Sequence, residues 1–171
     1  MPIGLLNANE LNAMIQSDHK SLAILDCTNG GQFKATFDEG HISSAKWLDL
    51  ESFRDVTNPL PHMCPNREQL TKRCTELNVN ETKTIICYDQ QNGMWASRAA
   101  WVFWHWGFDN VHVLEGGLNG WKAAGYQLVN VSSCEMEKPL NMSGLATLNQ
   151  RDVCAKFEEV HKVATGASSS F

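Results

Sequence analysis

The 171-residue chain is 43% apolar, enough to bury one core of ordinary domain size and leave a segment over. Its formal net charge of −5 comes without any basic block, which argues against nucleic acid as a partner. No apolar run nears the ~18–20 residues that span a bilayer, so a membrane is not an expected partner either.

Asn9 is placed to cap a short helix, Glu10 to Gln16, with Leu11 and Ile15 on one face. Ser21-Leu22-Ala23-Ile24-Leu25-Asp26 reads as a buried strand that ends in an acid, and Gly30-Gly31 closes the loop after it. Gln32 to Asp38 is ambiguous. Gly40-His41-Ile42 leads into a second strand candidate, Ala45 to Leu50. Three prolines between Thr57 and Pro65 make that stretch an ordered, irregular loop, after which Asn66 caps a helix from Arg67 to Asn78.

The central stretch follows. Thr84-Ile85-Ile86-Cys87-Tyr88-Asp89 is a short, β-branched apolar run that reads as a fully buried strand. Gln90 to Gly93 is a tight polar loop, and Trp95 to Trp104, apolar and free of Pro and Gly, is a helix. Strand, loop and helix in this order bring backbone N–H groups together where they favour a negative charge. The residue that leaves the strand into this cradle is Asp89. Trp95, Trp101, Phe103, Trp104 and Trp106 make the helix apolar nearly all round, the mark of a buried helix.

Val111 to Leu114 is another short strand, broken by Glu115-Gly116-Gly117, and Leu118 to Ala124 is a helix with Trp121 inward and Gly125 as its stop. Strands alternating with helices predict an α/β fold with a mostly parallel central sheet and helices on both faces. The character changes after Tyr126. Residues 129–147 read as a linker, and Leu148 to Val160 returns to helical periodicity with Val153, Phe157 and Val160 on one face. The tail thus echoes the start of the chain, as a second copy of the domain would over residues 148–171; a free-standing final helix is the alternative.

The six cysteines, at 27, 64, 74, 87, 134 and 154, form no C-x-x-C pair and no zinc-finger spacing. Met1 to Leu6 has no basic region and no long apolar core. Reduced thiols and a cytoplasmic location are therefore expected, with a mitochondrial one as the alternative.

Four ordered motifs resemble one family. Asp26 with Gly40-His41-Ile42, Ala45 and Asp49-Leu50 is similar to the first signature of rhodanese-type domains, although Ser43-Ser44 stands where that family prefers Pro-Gly. Asn58 to Pro65 resembles the proline-rich loop in the amino-terminal half of two-domain sulfurtransferases. Tyr88-Asp89 with Ala96-Ser97-Arg98 and Trp101 resembles that half's degenerate active-site loop, and Val113 to Gly117 with Trp121 and Gly125 its closing signature. The likeness runs from about residue 5 to residue 128 and marks 1–128 as a rhodanese-like domain, closest to the amino-terminal domain of thiosulfate and 3-mercaptopyruvate sulfurtransferases.

That resemblance implies a catalytically silent copy. The carboxy-terminal domain of such enzymes carries a cysteine that accepts sulfane sulfur as a persulfide, and Asp89 occupies the corresponding position here. A carboxylate accepts the same hydrogen bonds but forms no S–S bond. The complete protein would then move sulfur from thiosulfate or 3-mercaptopyruvate to cyanide or a thiol. Its partners would be the carboxy-terminal rhodanese domain and a small sulfur donor, with no metal or organic cofactor. No residue of this chain is assigned a catalytic role; Glu51 and His62 are candidate contributors to the cleft, each with an ordinary loop role as the alternative. Asp26, His41, Arg98, Gly116, Gly117 and Trp121 are read as structural, with Arg98 expected to pair with Asp89 or Glu115. None of the cysteines has an arginine six residues later, which weakens a phosphatase reading. The rival from a different class is a stand-alone inactive module that binds a partner protein.

Overall fold

Successive residues of the inner strands enter different cores, and this alternation sets the layering. The computed structural model describes residues 3–130 and 148–165. Strands β1 (Gly4–Leu6), β2 (Leu22–Asp26), β3 (Lys46–Trp47), β4 (Thr84–Tyr88) and β5 (Val111–Leu114) form one sheet in the order β1-β5-β4-β2-β3. Every pairing is parallel. Ala23, Leu25, Ile85, Cys87, Val111 and Val113 point to one face, where helices α3 (Arg67–Leu77) and α4 (Met94–His105) cover them. Leu22, Ile24, Ile86, Tyr88 and Leu114 point to the other, under α1 (Ala8–Asp18), α2 (Gln32–Glu39) and α5 (Gly117–Ala123). Helices therefore lie on both faces of a parallel sheet, as the alternation of elements predicts. Each fully buried Leu or Ile in these layers contributes about 1.5–3 kcal/mol.

Four differences from the sequence reading have local causes. Strand β1 goes unseen because three residues carry no period; its pairing with β5 alone defines it. Helix α1 starts at Ala8 because Asn7, not Asn9, is the cap: the Asn7 side chain accepts from the Asn9 and Glu10 N–H groups and Glu10 returns the bond. Strand β3 is two residues rather than six, since at the sheet's edge the chain turns away and sends Leu48 and Leu50 into the core. The ambiguous stretch after Gly31 is helix α2, which buries Phe37.

A fifth difference concerns the end of the chain. The helix expected from Leu148 begins only at Phe157 (α6, Phe157–Ala164). Residues 148–153 instead form a strap across α3 and α4. Leu148 fills the α3/α4 core, with its carbonyl held by Arg67 (2.8 Å). The Arg151 N–H donates to the His105 carbonyl (2.7 Å), and its guanidinium reaches the Trp104 and Phe108 carbonyls while lying 5.0 Å over the Trp104 ring. Gln150 donates to His105 Nε2 at 2.6 Å. Val153, expected on one helical face with Phe157 and Val160, lies before the helix and is exposed. Most of the expected linker, residues 131–147, and the tail from Ser168 to Phe171 lie outside the described residues.

Candidate functional site

The apolar run of β4 ends at Tyr88, and Asp89 leaves it fully buried. The loop turns into α4 through Gly93, whose φ of 84° is a conformation that suits glycine. This turn aims four backbone donors at one side chain. Asp89 Oδ1 accepts from the N–H groups of Gln91 (2.9 Å) and Gly93 (3.0 Å), and Oδ2 from those of Trp95 and Ala96 (both 3.1 Å). The carboxylate is thus chelated at the N-terminus of α4, where the helix dipole also favours it. The carbonyl of Asp89 faces α5 and accepts from the Leu118 N–H (2.9 Å). Gly117, with φ of 54°, lies so close that a Cβ there would stand 2.4 Å from that carbonyl oxygen. Gly116, at φ 72°, caps α5.

Beside this cradle, at the end of β2, sits Asp26, also fully buried. Its Oδ1 accepts from the Thr28 N–H (3.0 Å) and hydroxyl (2.6 Å), and its Oδ2 from the Gln90 amide (2.9 Å). Burial pushes the Asp26 carboxyl above its usual range, and the hydrogen bonds from Thr28 and Gln90 oppose that shift only in part. The Thr28 hydroxyl in turn accepts from the Gln90 N–H (2.9 Å), tying the β2 and β4 loops together.

The thiols of the core are placed unfavourably for nucleophilic chemistry. Cys27 and Cys87 are buried against each other's strands; burial, then Cys87, Asp26 and Asp89, push the Cys27 thiol well up. Burial raises Cys74 to about 12. Cys64 is half-buried and its thiol is also pushed up by burial, with the nearby Arg98 guanidinium working against the shift. Cys27, Cys74 and Cys87 lack the electropositive, partly exposed setting of a reactive thiolate; Cys64 meets it in part, beside Arg98, and Cys154 is exposed.

Outside the cradle, Trp95 faces the proline-rich loop, its ring 5.4 Å from that of His62. His62 has a positive φ of 57°, which turns its carbonyl toward Arg98. Arg98 does not pair with Asp89 or Glu115 as expected: its guanidinium binds the His62 carbonyl and lies 5.3 Å over Trp101. The physical reason is that Asp89 is already saturated by backbone donors. Glu51 is exposed and pairs with Arg54 (3.1 Å). Arg54, His62, Trp95 and Arg98 line one small notch at this mouth. His41 and Trp121 belong to the opposite face of the sheet. His41 donates from Nδ1 to the Phe37 carbonyl (2.8 Å) and stacks on its ring, while Trp121 donates to the Gln127 carbonyl (3.2 Å). Thr28, Gln90 and Arg54 were missed at the sequence level. The Asp-x-Thr spacing of Asp26 and Thr28, a side-chain turn, is the one available signal. Among the described residues no group of three or more His, Cys, Asp or Glu side chains is arranged to hold a metal.

The family model for the rhodanese-like domain matches residues 7–124. The chain is 43% identical over 83 residues to 3-mercaptopyruvate sulfurtransferase of Escherichia coli strain K12, covering 48% of this chain and 30% of that protein. It is 29% identical over 138 residues to a probable 3-mercaptopyruvate sulfurtransferase of Schizosaccharomyces pombe, covering 81% and 44%. The chain thus spans less than half the length of these relatives. Among solved structures it resembles the 3-mercaptopyruvate sulfurtransferase SseA of Escherichia coli, with a TM-score of 0.82 and 27% identity over 96% of this chain and 63% of that one.

Proposed function

This chain belongs to the rhodanese-like domain family, and on that premise we propose that it is the amino-terminal, non-catalytic half of a sulfurtransferase. The observation that carries this reading is the occupied cradle. Four N–H groups that would stabilise a thiolate or persulfide are all bonded to the Asp89 carboxylate, which has no sulfur to offer the donor. In the complete protein a cysteine thiolate on the other half would attack the sulfane sulfur of thiosulfate or 3-mercaptopyruvate. The donor's bond to that sulfur breaks, sulfite or pyruvate (as its enolate) leaves with the electron pair, and the resulting persulfide passes sulfur to cyanide or a thiol. Glu51 and His62, both exposed, are the groups of this half that would face that cleft.

The missing partner is then a second rhodanese domain beginning near α6. Exposed apolar side chains support that reading: Leu60 and Met63 on the proline-rich loop, Met94 at the start of α4 and Val160 on α6. The test is a sulfur-transfer assay with intact-mass readout. Incubated with either donor, the 171-residue chain should show no turnover and no mass increment of one sulfur atom, and a chain extended by a catalytic rhodanese domain should show both. Turnover by this chain alone, with the persulfide mapped to one of its own cysteines, would discard the proposal.

A further inference from the structure

Two cysteines that the sulfur-transfer reading leaves unused are brought together along α4. The proline-rich loop runs beside that helix, pinned on both sides of Cys64. Arg98 holds the His62 carbonyl and reaches the Cys64 thiol, and the Pro65 carbonyl accepts from Trp106 Nε1 (3.1 Å). The strap is docked on the same helix through Gln150 and Arg151, and Arg67 joins the two elements by donating to the Leu148 carbonyl (2.8 Å). From the docked His105 the helix face runs back through Trp101, stacked on it at 4.8 Å, to Arg98, which lies 5.3 Å over the Trp101 ring. His105 and Arg98 are about 10 Å apart along the axis. The chain from Gln150 to Cys154 reaches up to about 14 Å, enough to return to Cys64. Cys154 is exposed, and its charge bears on the Cys64 thiol together with that of Arg98, so the two sulfurs share one neighbourhood.

We propose that Cys64 and Cys154 form a redox latch: a disulfide that fastens the strap to the proline-rich loop, made by hydrogen peroxide and undone by a dithiol. An exposed thiol with a second thiol beside it is the arrangement that stops oxidation at a reversible stage. Cys154, as thiolate, attacks one peroxide oxygen. The O–O bond breaks, the other oxygen leaves as hydroxide and takes a proton, and Cys154 becomes a sulfenic acid. The Cys64 thiolate, favoured by the adjacent Arg98 guanidinium, attacks the Cys154 sulfur; the S–O bond breaks and hydroxide leaves with the proton that Cys64 gave up. The two thiols lose two electrons, and the peroxide becomes two waters. Cys27, Cys74 and Cys87 stay out of this chemistry because each is buried. Helix α6 starts three residues after Cys154, so the latch also fixes where that helix leaves the domain. Its effect on a second domain rests on the proposed function; the bond itself does not.

The test exposes the reduced 171-residue chain, kept dilute, to a small excess of hydrogen peroxide and reads intact mass and linked peptides under non-reducing conditions. The expected product has lost the mass of two hydrogens, yields one peptide pair joining Cys64 to Cys154, and returns to its starting mass in dithiothreitol. Amide exchange at residues 148–156 should slow about tenfold or more in the bridged chain, with β4 and β5 unchanged. Cys64→Ser and Cys154→Ser should each abolish the bridge, and Cys134→Ser should leave it intact. Arg151→Ala, which undocks the strap, should slow its formation. A bridge that takes Cys134 or a second chain, or oxidation of Cys154 to the sulfinic acid with no bridge, overturns the pairing. Unchanged exchange at 148–156 in the bridged chain overturns the latch. No sulfur donor is present, so a failed sulfur-transfer assay and a failed bridge are distinct results.

Discussion

Replacing Asp89 with Asn changes one oxygen into an amide nitrogen and almost nothing else in shape. The structure makes this small change expensive. Both oxygens of Asp89 accept two N–H groups each, and an NH₂ group only donates. Whichever way the amide turns, one pair of backbone donors meets another donor. Two unsatisfied N–H groups cost about 1–3 kcal/mol each. The amide will turn its nitrogen toward Gln91 and Gly93, the less buried pair, which keeps the total near the low end, about 3 kcal/mol. In a domain of this size that lowers the melting temperature by ~6–12 °C. Loss of charge at a helix N-terminus alone costs only about 0.3–1 kcal/mol, so the two explanations separate. Urea and thermal unfolding of Asp89→Asn measure the difference. A loss under ~1 kcal/mol would mean that only the helix dipole, and not the four-fold chelation, holds the loop.

Asp26 should respond in the opposite sense. Its folded pKa is raised by burial, so the folded state holds the proton more tightly than the unfolded one, and stability falls as pH rises from the unfolded value of 3.8 through the folded pKa. Asp26→Asn should abolish that fall, with the Gln90 amide turning its oxygen to the new NH₂ group, as pH-dependent urea melts will show; a fall with rising pH that persists in the variant would contradict it. Arg151→Ala removes the bonds to the Trp104 and Phe108 carbonyls and should cost about 1–3 kcal/mol. Its sharper readout is faster amide exchange and proteolysis at residues 148–156, with β4 and β5 protection kept. Below pH 6.5 the same strap should loosen in the parent chain. His105 has a pKa lowered by burial, Arg98 and Arg151, so its stabilising contribution is present above the unfolded value and is lost as pH falls. Gly117→Ala combines a disfavoured φ with a Cβ 2.4 Å from the Asp89 carbonyl oxygen, and should lower stability by more than about 1 kcal/mol and displace the loop; an unchanged melt would show that α5 can slide away.

The parts of the fold legible in the sequence are those in which side-chain pattern and backbone state agree. Strands β2, β4 and β5 are apolar runs with no competing period, and Asn66 announces α3 by a cap whose partner, Gln69, follows three residues later. Asp89 stood out because an acid at the end of a buried strand needs donors, and only a loop entering a helix supplies four. The failures have a different source. Residues 148–156 show helical spacing, but Leu148 is worth more in the α3/α4 core than in a helix, and the Arg151 N–H is committed to the His105 carbonyl. Arg98 misled for a related reason: opposite charges close in sequence suggest a pair, yet Asp89 was already satisfied by groups that carry no sequence signal. Gln90 acts on Thr28 and Asp26 across more than 60 residues of chain, so a linear reading holds no trace of it; of the Thr28 contacts only the local turn with Asp26 leaves a sequence signal.

The strap has a practical consequence for anyone who excises this domain. The sequence pattern suggests a cut soon after Tyr126, where regular elements stop. Such a cut would remove Leu148 from the α3/α4 layer and expose the apolar slot it fills, while stripping the C-terminal end of α4 of the cross-braces from Gln150 and Arg151. The packed core therefore extends past the motif that marks the domain, and an expression boundary placed beyond Val153 retains the plug that one placed at residue 128 discards.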